Sequence, residues 1–177
     1  GKAKIDDLVF SITPDASVRW AKIKAGECHV MPYPNPADLE AMRKEPSVNL
    51  MSQEGLNIGY WAFNTEKKPF DDKRVRQALQ AAVDNAVVLE LGISGLGTVA
   101  ENHHVSPIHP EYAELPKQVR DPAKAVALLA EAGKSDFEFD LISIDQDHHQ
   151  ASCDAIAAQI RDAGINIKRT VIPGATF

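Results

Sequence analysis

Histidine is the residue type in this 177-residue chain that offers the most varied chemistry. The chain contains His29, His103, His104, His109, His148 and His149. Imidazole is a common ligand of zinc, nickel and copper, so two adjacent pairs invite a metal-site interpretation. Adjacent side chains on an extended segment point to opposite faces, however, so each pair supplies at most one convenient ligand. No HExxH motif or cysteine–histidine spacing accompanies them, and the sequence predicts polar loop residues and no metal site.

Motifs for catalysis are poorly represented. The sequence has no GxSxG, P-loop or GxGxxG pattern. The carboxylates of Asp71 and Asp72 are neighbours in the chain, unlike a catalytic pair held across a cleft. A metal-dependent hydrolase stays open as an alternative, but it needs three protein ligands on one ion, and no helix here offers two at suitable spacing. We therefore expect no catalytic residues and a protein that is not an enzyme.

A polar segment, DQDHHQ at residues 145–150, separates a predicted strand from a predicted helix. Ligands of open α/β sheets bind outside the carboxyl ends of the strands. Asp145, Asp147 and His148 are therefore candidate ligand-binding residues. Two carboxylates favour a ligand part that is cationic or donates hydrogen bonds. The alternative is that Asp147 or a neighbour caps the following helix.

Two further candidates lie in a long segment with little periodicity, residues 93–120. Loops of this length in a compact domain are commonly functional, and we name Asn102 and His103 as candidate ligand-binding residues within it. Tyr60 is a candidate from an earlier apolar stretch, whereas Trp61 and Phe63 in that stretch are expected to be core residues.

Composition excludes several classes of partner. The net charge of −6 provides no basic stripe for phosphates and has the wrong sign for an anionic membrane surface. The same charge predicts that the chain binds no nucleic acid. No apolar run reaches the length of a membrane span, so we expect a soluble chain. Cys28 and Cys153 are too few for a disulfide framework.

Periodicity predicts an α/β chain in which strands and helices alternate. Predicted strands cover residues 6–13, 28–31, 48–53, 58–63, 137–144 and 165–172. Predicted helices cover residues 16–25, 36–44, 72–83, 85–91, 121–133 and 152–164. The clearest helix has Asp121 as its cap, Pro122 at its first position and Gly133 as its terminator. We expect Gly92 to end the helix at 85–91.

Residues 55–84, GLNIGYWAFNTEKKPFDDKRVRQALQAAVD, join a strand, a charged turn and a helix. This stretch resembles the large extracellular solute-binding proteins of ABC importers (family 5), and the dipeptide-binding proteins in particular. The stretch KIDDLVFSITPDASVRWAKIKAGECHVMPYPNPADL resembles the part of those proteins that precedes the crossing between lobes. Further along, DPAKAVALLAEAG and AAQIRDAGINIKRTVI resemble a helix and a helix–strand pair that recur in the family.

The resemblance implies a periplasmic-binding-protein-like (type II) α/β fold with a mixed sheet flanked by helices, incomplete in this chain. Residues 1–57 would be the last part of the first lobe before the crossing, and residues 58–177 most of the second, ligand-binding lobe. The chain is therefore expected to be a fragment. The resemblance also implies a short peptide as ligand, an ABC transporter permease as partner, the periplasm as location and no cofactor.

Two departures from the family pattern concern the ligand and a disulfide. Dipeptide-binding relatives place an arginine for the peptide carboxylate in the loop that holds Ser143 to Asp147 here, and this chain has no arginine there. A metal chelate, haem or a cationic metabolite is the alternative ligand. Cys28 corresponds to a cysteine that relatives often pair near the mature N-terminus, and without that partner we expect a free thiol, unless it pairs between molecules.

Overall fold

A computed structural model describes residues 1, 4–53, 55, 57–105, 107 and 109–176. The chain forms two compact units, Gly1–Ser52 and Gln53–Phe177. The division lies just before the predicted lobe crossing, between residues 57 and 58. The assignment of each unit to a lobe stays a prediction.

Among its described residues, the first unit contains two α-helices, as expected. They are α1 (Ala16–Lys24) and α2 (Leu39–Arg43), the latter preceded by a 3-10 turn at Pro36–Asp38. Asp15 caps α1, since its Oδ1 accepts a hydrogen bond of 2.8 Å from the backbone N–H of Val18. Asn35 likewise accepts from the N–H of Ala37 at 3.1 Å and starts the 3-10 turn.

The strands predicted at 6–13, 28–31, 48–53 and 58–63 are wrong for the residues described in those segments, which belong to no strand. Alternation indicates which side chains would share a face, but a strand also needs a neighbouring backbone for its N–H and C=O groups. No such neighbour pairs with these segments in the described part of the chain. Val9 and Ile12 are accordingly each 87% exposed.

The second unit contains four α-helices and a parallel strand pair among its described residues. In chain order these are α3 (Lys73–Ala81), α4 (Asn85–Ile93), α5 (Pro122–Glu131), β1 (Phe139–Ile144), α6 (Asp147–Asp162) and β2 (Ile167–Ile172). The two strands pair in register from Phe139 with Ile167 to Ile144 with Ile172. This β1–α6–β2 unit confirms the two strands predicted near the end of the chain.

A hydrophobic core joins these elements. Its largest fully buried side chains are Leu79 and Val75 of α3, Leu129 of α5 and Ile160 of α6. Trp61 and Phe63 pack against this core, as predicted. A row of aromatic rings continues from Trp61 through Phe63 and Phe70 to Phe139, with centroids 4.9, 5.7 and 5.9 Å apart. These rings attach the chain before α3 to strand β1.

Helix α4 ends later than expected. Gly92 lies within the helix and does not stop it; Ser94, with a φ of 55°, takes the left-handed position at its end. Gly92 is buried against α6, because a Cβ placed on it would lie 2.2 Å from Ser152 Oγ. Its missing side chain therefore permits close helix packing.

Helix α6 begins at Asp147 rather than at residue 152. The polar segment taken for a loop is therefore largely the first turn of this helix. Its side chains at Asp147, His148 and His149 are exposed, so they carry no apolar periodicity that would have revealed the turn.

Candidate functional site

The carboxyl ends of β1 and β2 lie at one edge of the strand pair, where Asp145 connects them. Its backbone N–H donates to Ile172 O at 3.0 Å, and its Oδ1 accepts from the N–H of Gly174 at 3.1 Å. The carboxylate is otherwise at the surface. Asp145 therefore joins the two strand ends and leaves a charged oxygen, Oδ2, at the edge where ligands of such sheets bind.

Asp147 and His148 follow on the first turn of α6. Gln146 occupies the N-cap position without a side-chain capping bond, so Asp147 is not the cap that the alternative reading expected. A carboxylate in the first turn still complements the helix dipole. The rings of His148 and His149 stand edge to face with centroids 4.3 Å apart. The ring of His149 is exposed yet partly desolvated, and this desolvation, with the charge of His148 as a secondary cause, holds the pKa of His149 below its usual value.

Arg169 of β2 links the strand pair to helix α6. Its Nε donates to Asp154 Oδ1 of α6 at 2.8 Å, and its Nη2 donates to Ser143 Oγ of β1 at 2.5 Å. Its Nη1 donates to the carbonyls of Leu141 and Thr170. The side chain is only 11% exposed. Arg169 therefore serves the fold and does not replace the arginine missing from the strand-end loop.

Both cysteines are free thiols in the structure. Cys153 packs against the core beside Arg169, where it behaves as a small apolar residue. Burial raises the pKa of its thiol, and the nearby Arg169 only partly opposes this. A thiol with a raised pKa is a poor nucleophile at neutral pH.

A second polar cluster centres on Glu101 in the segment after α4. Its Oε2 lies 2.6 Å from His103 Nε2, and its Oε1 accepts a 3.1 Å hydrogen bond from the Tyr112 hydroxyl. Partial burial, followed by the bond and charge of Glu101, raises the pKa of Tyr112. The charge of Glu114 acts in the same direction. The cluster is thus acidic in character.

The same segment is fastened to the start of α4. Asn85 Nδ2 donates to Ala100 O at 2.8 Å and to Asn102 Oδ1 at 3.2 Å. A cavity of about 140 Å³ opens beside these contacts. Its lining residues are Gln80, Glu101, Asn102, His103, Leu115, Pro116 and Gln118.

The structure therefore separates the six candidates into three places. Asn102 and His103 line one cavity, and neither Tyr60 nor the strand-end residues line it. Tyr60 is 81% exposed. Asp145, Asp147 and His148 share the strand-end edge.

Sequence reasoning missed Glu101, Tyr112 and Gln80 as site residues. Glu101 was recognisable only as a charged neighbour of two chosen residues. Gln80 belongs to α3 and comes near the loop only through folding, which no local pattern indicates.

Two arginines of α3 serve the structure. Arg74 pairs with Asp72 at 2.6 Å and donates to Glu131 O at the end of α5. The hydrogen bond that the Asp72 carboxylate accepts from the Arg74 side chain lowers the pKa of Asp72. Arg76 donates to Phe70 O at 2.6 Å.

Among the residues that the structure describes, no cluster of three histidine, cysteine, aspartate or glutamate side chains is arranged to hold a metal ion. Within the same residues, no helix has the length and apolar character that crossing a membrane requires.

The comparison with known families matches residues 1–177 to the middle region of the bacterial extracellular solute-binding proteins, family 5. The dipeptide-binding protein of Escherichia coli K12 is 48% identical over 141 residues, which are 79% of this chain and 26% of that protein. The heme-binding protein A of Haemophilus influenzae is 48% identical over 133 residues, 75% of this chain and 24% of that protein. The chain thus spans about a quarter of the length of these relatives.

A solved structure supports the fold. The dipeptide-binding protein of Pseudoalteromonas sp. SM9913, in complex with Met-Leu, superposes with a TM-score of 0.78 at 31% identity. The alignment covers 93% of this chain and 34% of that one. The α/β arrangement is therefore periplasmic-binding-protein-like, and the chain belongs to the bacterial extracellular solute-binding proteins of family 5.

Proposed function

We propose that this chain is part of the substrate-binding component of an ABC importer, which binds short peptides in the periplasm and delivers them to the permease. The observation that carries this proposal is the 48% identity to a dipeptide-binding protein over most of the chain. In this role the protein is a carrier without catalytic residues. Residues 58–177 form most of the ligand-binding lobe, and residues 1–57 belong to the preceding lobe.

The strand-end edge is the proposed contact with the peptide. Asp145 and Asp147 place two carboxylates there, while the guanidinium of Arg169 is committed to Asp154 and Ser143. Charge complementarity then favours the ammonium end of a peptide at this edge. His148, beside them on α6, offers an imidazole for a polar contact. Tyr60 is a further proposed contact, since its ring is exposed and available for stacking.

Identification of the natural ligand tests this proposal. The full-length natural protein that contains these residues is purified without denaturation, its ligand is released by acid, and mass spectrometry and metal analysis identify what it carried. We expect short peptides and no stoichiometric metal. Stoichiometric zinc together with hydrolytic turnover would refute the carrier role.

A second ligand class is favoured by one observation. The chain is as similar to a heme-binding protein as to a dipeptide-binding protein, at 48% identity to each. Haem or a metal chelate would use imidazoles such as His148 and His149 as ligands. An absorbance spectrum of the purified protein with a haem band, and no released peptide, would favour this alternative.

A further inference from the structure

The cavity beside Glu101 presents mainly hydrogen-bond acceptors. A carboxylate only accepts hydrogen bonds, so Nε2 of His103 is the donor to Glu101, and in the neutral tautomer Nδ1 is left as an acceptor. Glu101 uses one lone-pair position on each oxygen, for His103 and Tyr112, and a carboxylate has about four such positions. The acceptors that are left therefore suit a ligand group that donates several hydrogen bonds.

The remaining polar lining can adapt to such a group. The side-chain amides of Gln80 and Gln118 form no hydrogen bond with other residues in the described part of the chain. Either amide can turn its oxygen towards a donor. Gln80 is half-buried in helix α3, so an unused amide there has lost part of its water.

Charge, shape and size narrow the class of ligand. Among the described residues that line the cavity, Glu101 carries the permanent formal charge, and none of them is a lysine or arginine. Leu115 and Pro116 add an apolar wall. A volume of about 140 Å³ resembles that of engineered cavities that hold benzene, which suits about six heavy atoms.

We propose that this cavity is a subsite for an alkylammonium group, such as the end of a lysine side chain. The ammonium donates to Glu101, His103 and the glutamine amides, and its methylene groups contact Leu115 and Pro116. Asn85 and Tyr112 hold the walls in place before the ligand arrives, which limits the entropy lost on binding. The statement that this ammonium group belongs to a peptide rests on the proposed function. The preference of the cavity for an ammonium group is argued from its lining residues and does not rest on that function.

The first test compares two peptides on the full-length natural protein by calorimetry at about pH 8, where imidazoles in general are neutral. Alanyl-lysine and alanyl-norleucine have side chains of similar length, and only the first ends in an ammonium. We expect alanyl-lysine to bind about tenfold more tightly or better, because its hydrogen bonds to Glu101 are charge-assisted. The variant E101Q should abolish this preference, whereas E111Q, an exposed change in the same segment, should keep it.

Two outcomes overturn the inference while leaving the carrier role intact. One is equal or better binding of alanyl-norleucine. The other is a lysine preference that survives E101Q, which would place the ammonium elsewhere. Failure of every peptide to bind would instead refute the proposed function, and the second test then decides about the cavity.

The second test uses residues 1–177 and the small probe n-butylammonium. We expect saturable changes in the NMR signals of the side-chain amides of Gln80, Asn102 and Gln118, absent with n-butanol and lost in E101Q. Equal responses to the two probes, or none to either, would overturn the proposed subsite.

Discussion

Arg169 is a charged residue whose side chain stabilises the fold through hydrogen bonds. Its guanidinium reaches α6 through Asp154 and β1 through Ser143, and little of it meets water. The strand-end edge thus retains carboxylates without that cation. The proposed preference of this edge for a cationic ligand group depends on Arg169 remaining bonded within the fold.

Replacing Arg169 should therefore affect stability. The change R169M should lower the free energy of unfolding by about 2 kcal/mol, since it leaves the part-buried hydroxyl oxygen of Ser143 without this donor. Urea denaturation followed by circular dichroism measures this. The matched change D154N, at a partner whose side chain is 63% exposed, should cost under about 1 kcal/mol. Equal costs for the two variants would contradict this account.

His149 should make stability depend on pH. Its pKa is lowered in the folded protein, so the unfolded chain takes up this proton at a higher pH than the folded one. The contribution of neutral His149 to the free energy of unfolding is complete above the ordinary histidine pKa of about 6.5. It is lost as the pH falls through that value towards the lowered pKa of the folded protein. The melting temperature of H149Q should therefore fall less than that of the wild type between about pH 7.5 and pH 5.

The variant H148Q supplies the control for this measurement. It removes the secondary, charge-based cause and leaves burial in place, so it should reduce the pH dependence only in part. An identical pH dependence in H149Q and the wild type would contradict the assignment to His149.

At the scale of elements, local signals predicted the helices well. Asp121 accepts a backbone hydrogen bond at the start of α5, as predicted, and Asp72 and Asp84 do so at the predicted starts of α3 and α4. A cap is a local interaction, so its signal lies within a few residues. Strand pairing is not local, which is why alternation at 6–13 and 48–53 predicted strands that the described residues do not form.

The packing of α4 on α6 also escaped sequence reasoning. A glycine near the end of a predicted helix is usually read as a terminator. Only the three-dimensional structure shows that Gly92 faces Ser152. The candidate site shows the same difference between local and non-local information. Asn102 and His103 were predicted from their residue types and loop position, whereas Gln80 was missed because it lies on a different element.

The variant G92A tests this close contact. Its new methyl group would lie 2.2 Å from Ser152 Oγ, and relieving that overlap should cost about 1–3 kcal/mol of unfolding free energy. Adding S152G should restore part of the loss, although Ser152 Cα at 3.0 Å keeps the contact tight.

Gly59 offers a matched control, because a Cβ at that position meets no atom within 4 Å. G59A should therefore leave the unfolding free energy within about 0.5 kcal/mol of the wild type. A similar small effect in G92A would show that α4 and α6 do not approach each other as closely as described.

At the scale of the whole molecule, the chain spans about a quarter of the length of its curated relatives. Ligand-binding proteins of two lobes enclose their ligand by hinge closure. If residues 58–177 supply one lobe of such a cleft, they make only part of the contacts.

The 177-residue chain on its own should therefore bind short peptides weakly or not at all. Isothermal titration calorimetry with alanyl-alanine and longer peptides measures this directly. Binding with a dissociation constant in the micromolar range or tighter, about −8 kcal/mol, would contradict the division of the cleft between two lobes.

The central claim is that the protein is a peptide carrier whose strand-end carboxylates contact the ligand. Calorimetric titration of the ligand-free full-length natural protein with a dipeptide tests it most directly, alongside the double variant D145N/D147N and the control D136N, an exposed change away from the edge. We predict tight binding by the wild type and D136N, and affinity reduced at least about tenfold in the double variant through loss of charge complementarity. Absence of dipeptide binding in the wild type, or unchanged affinity in D145N/D147N, would contradict the account.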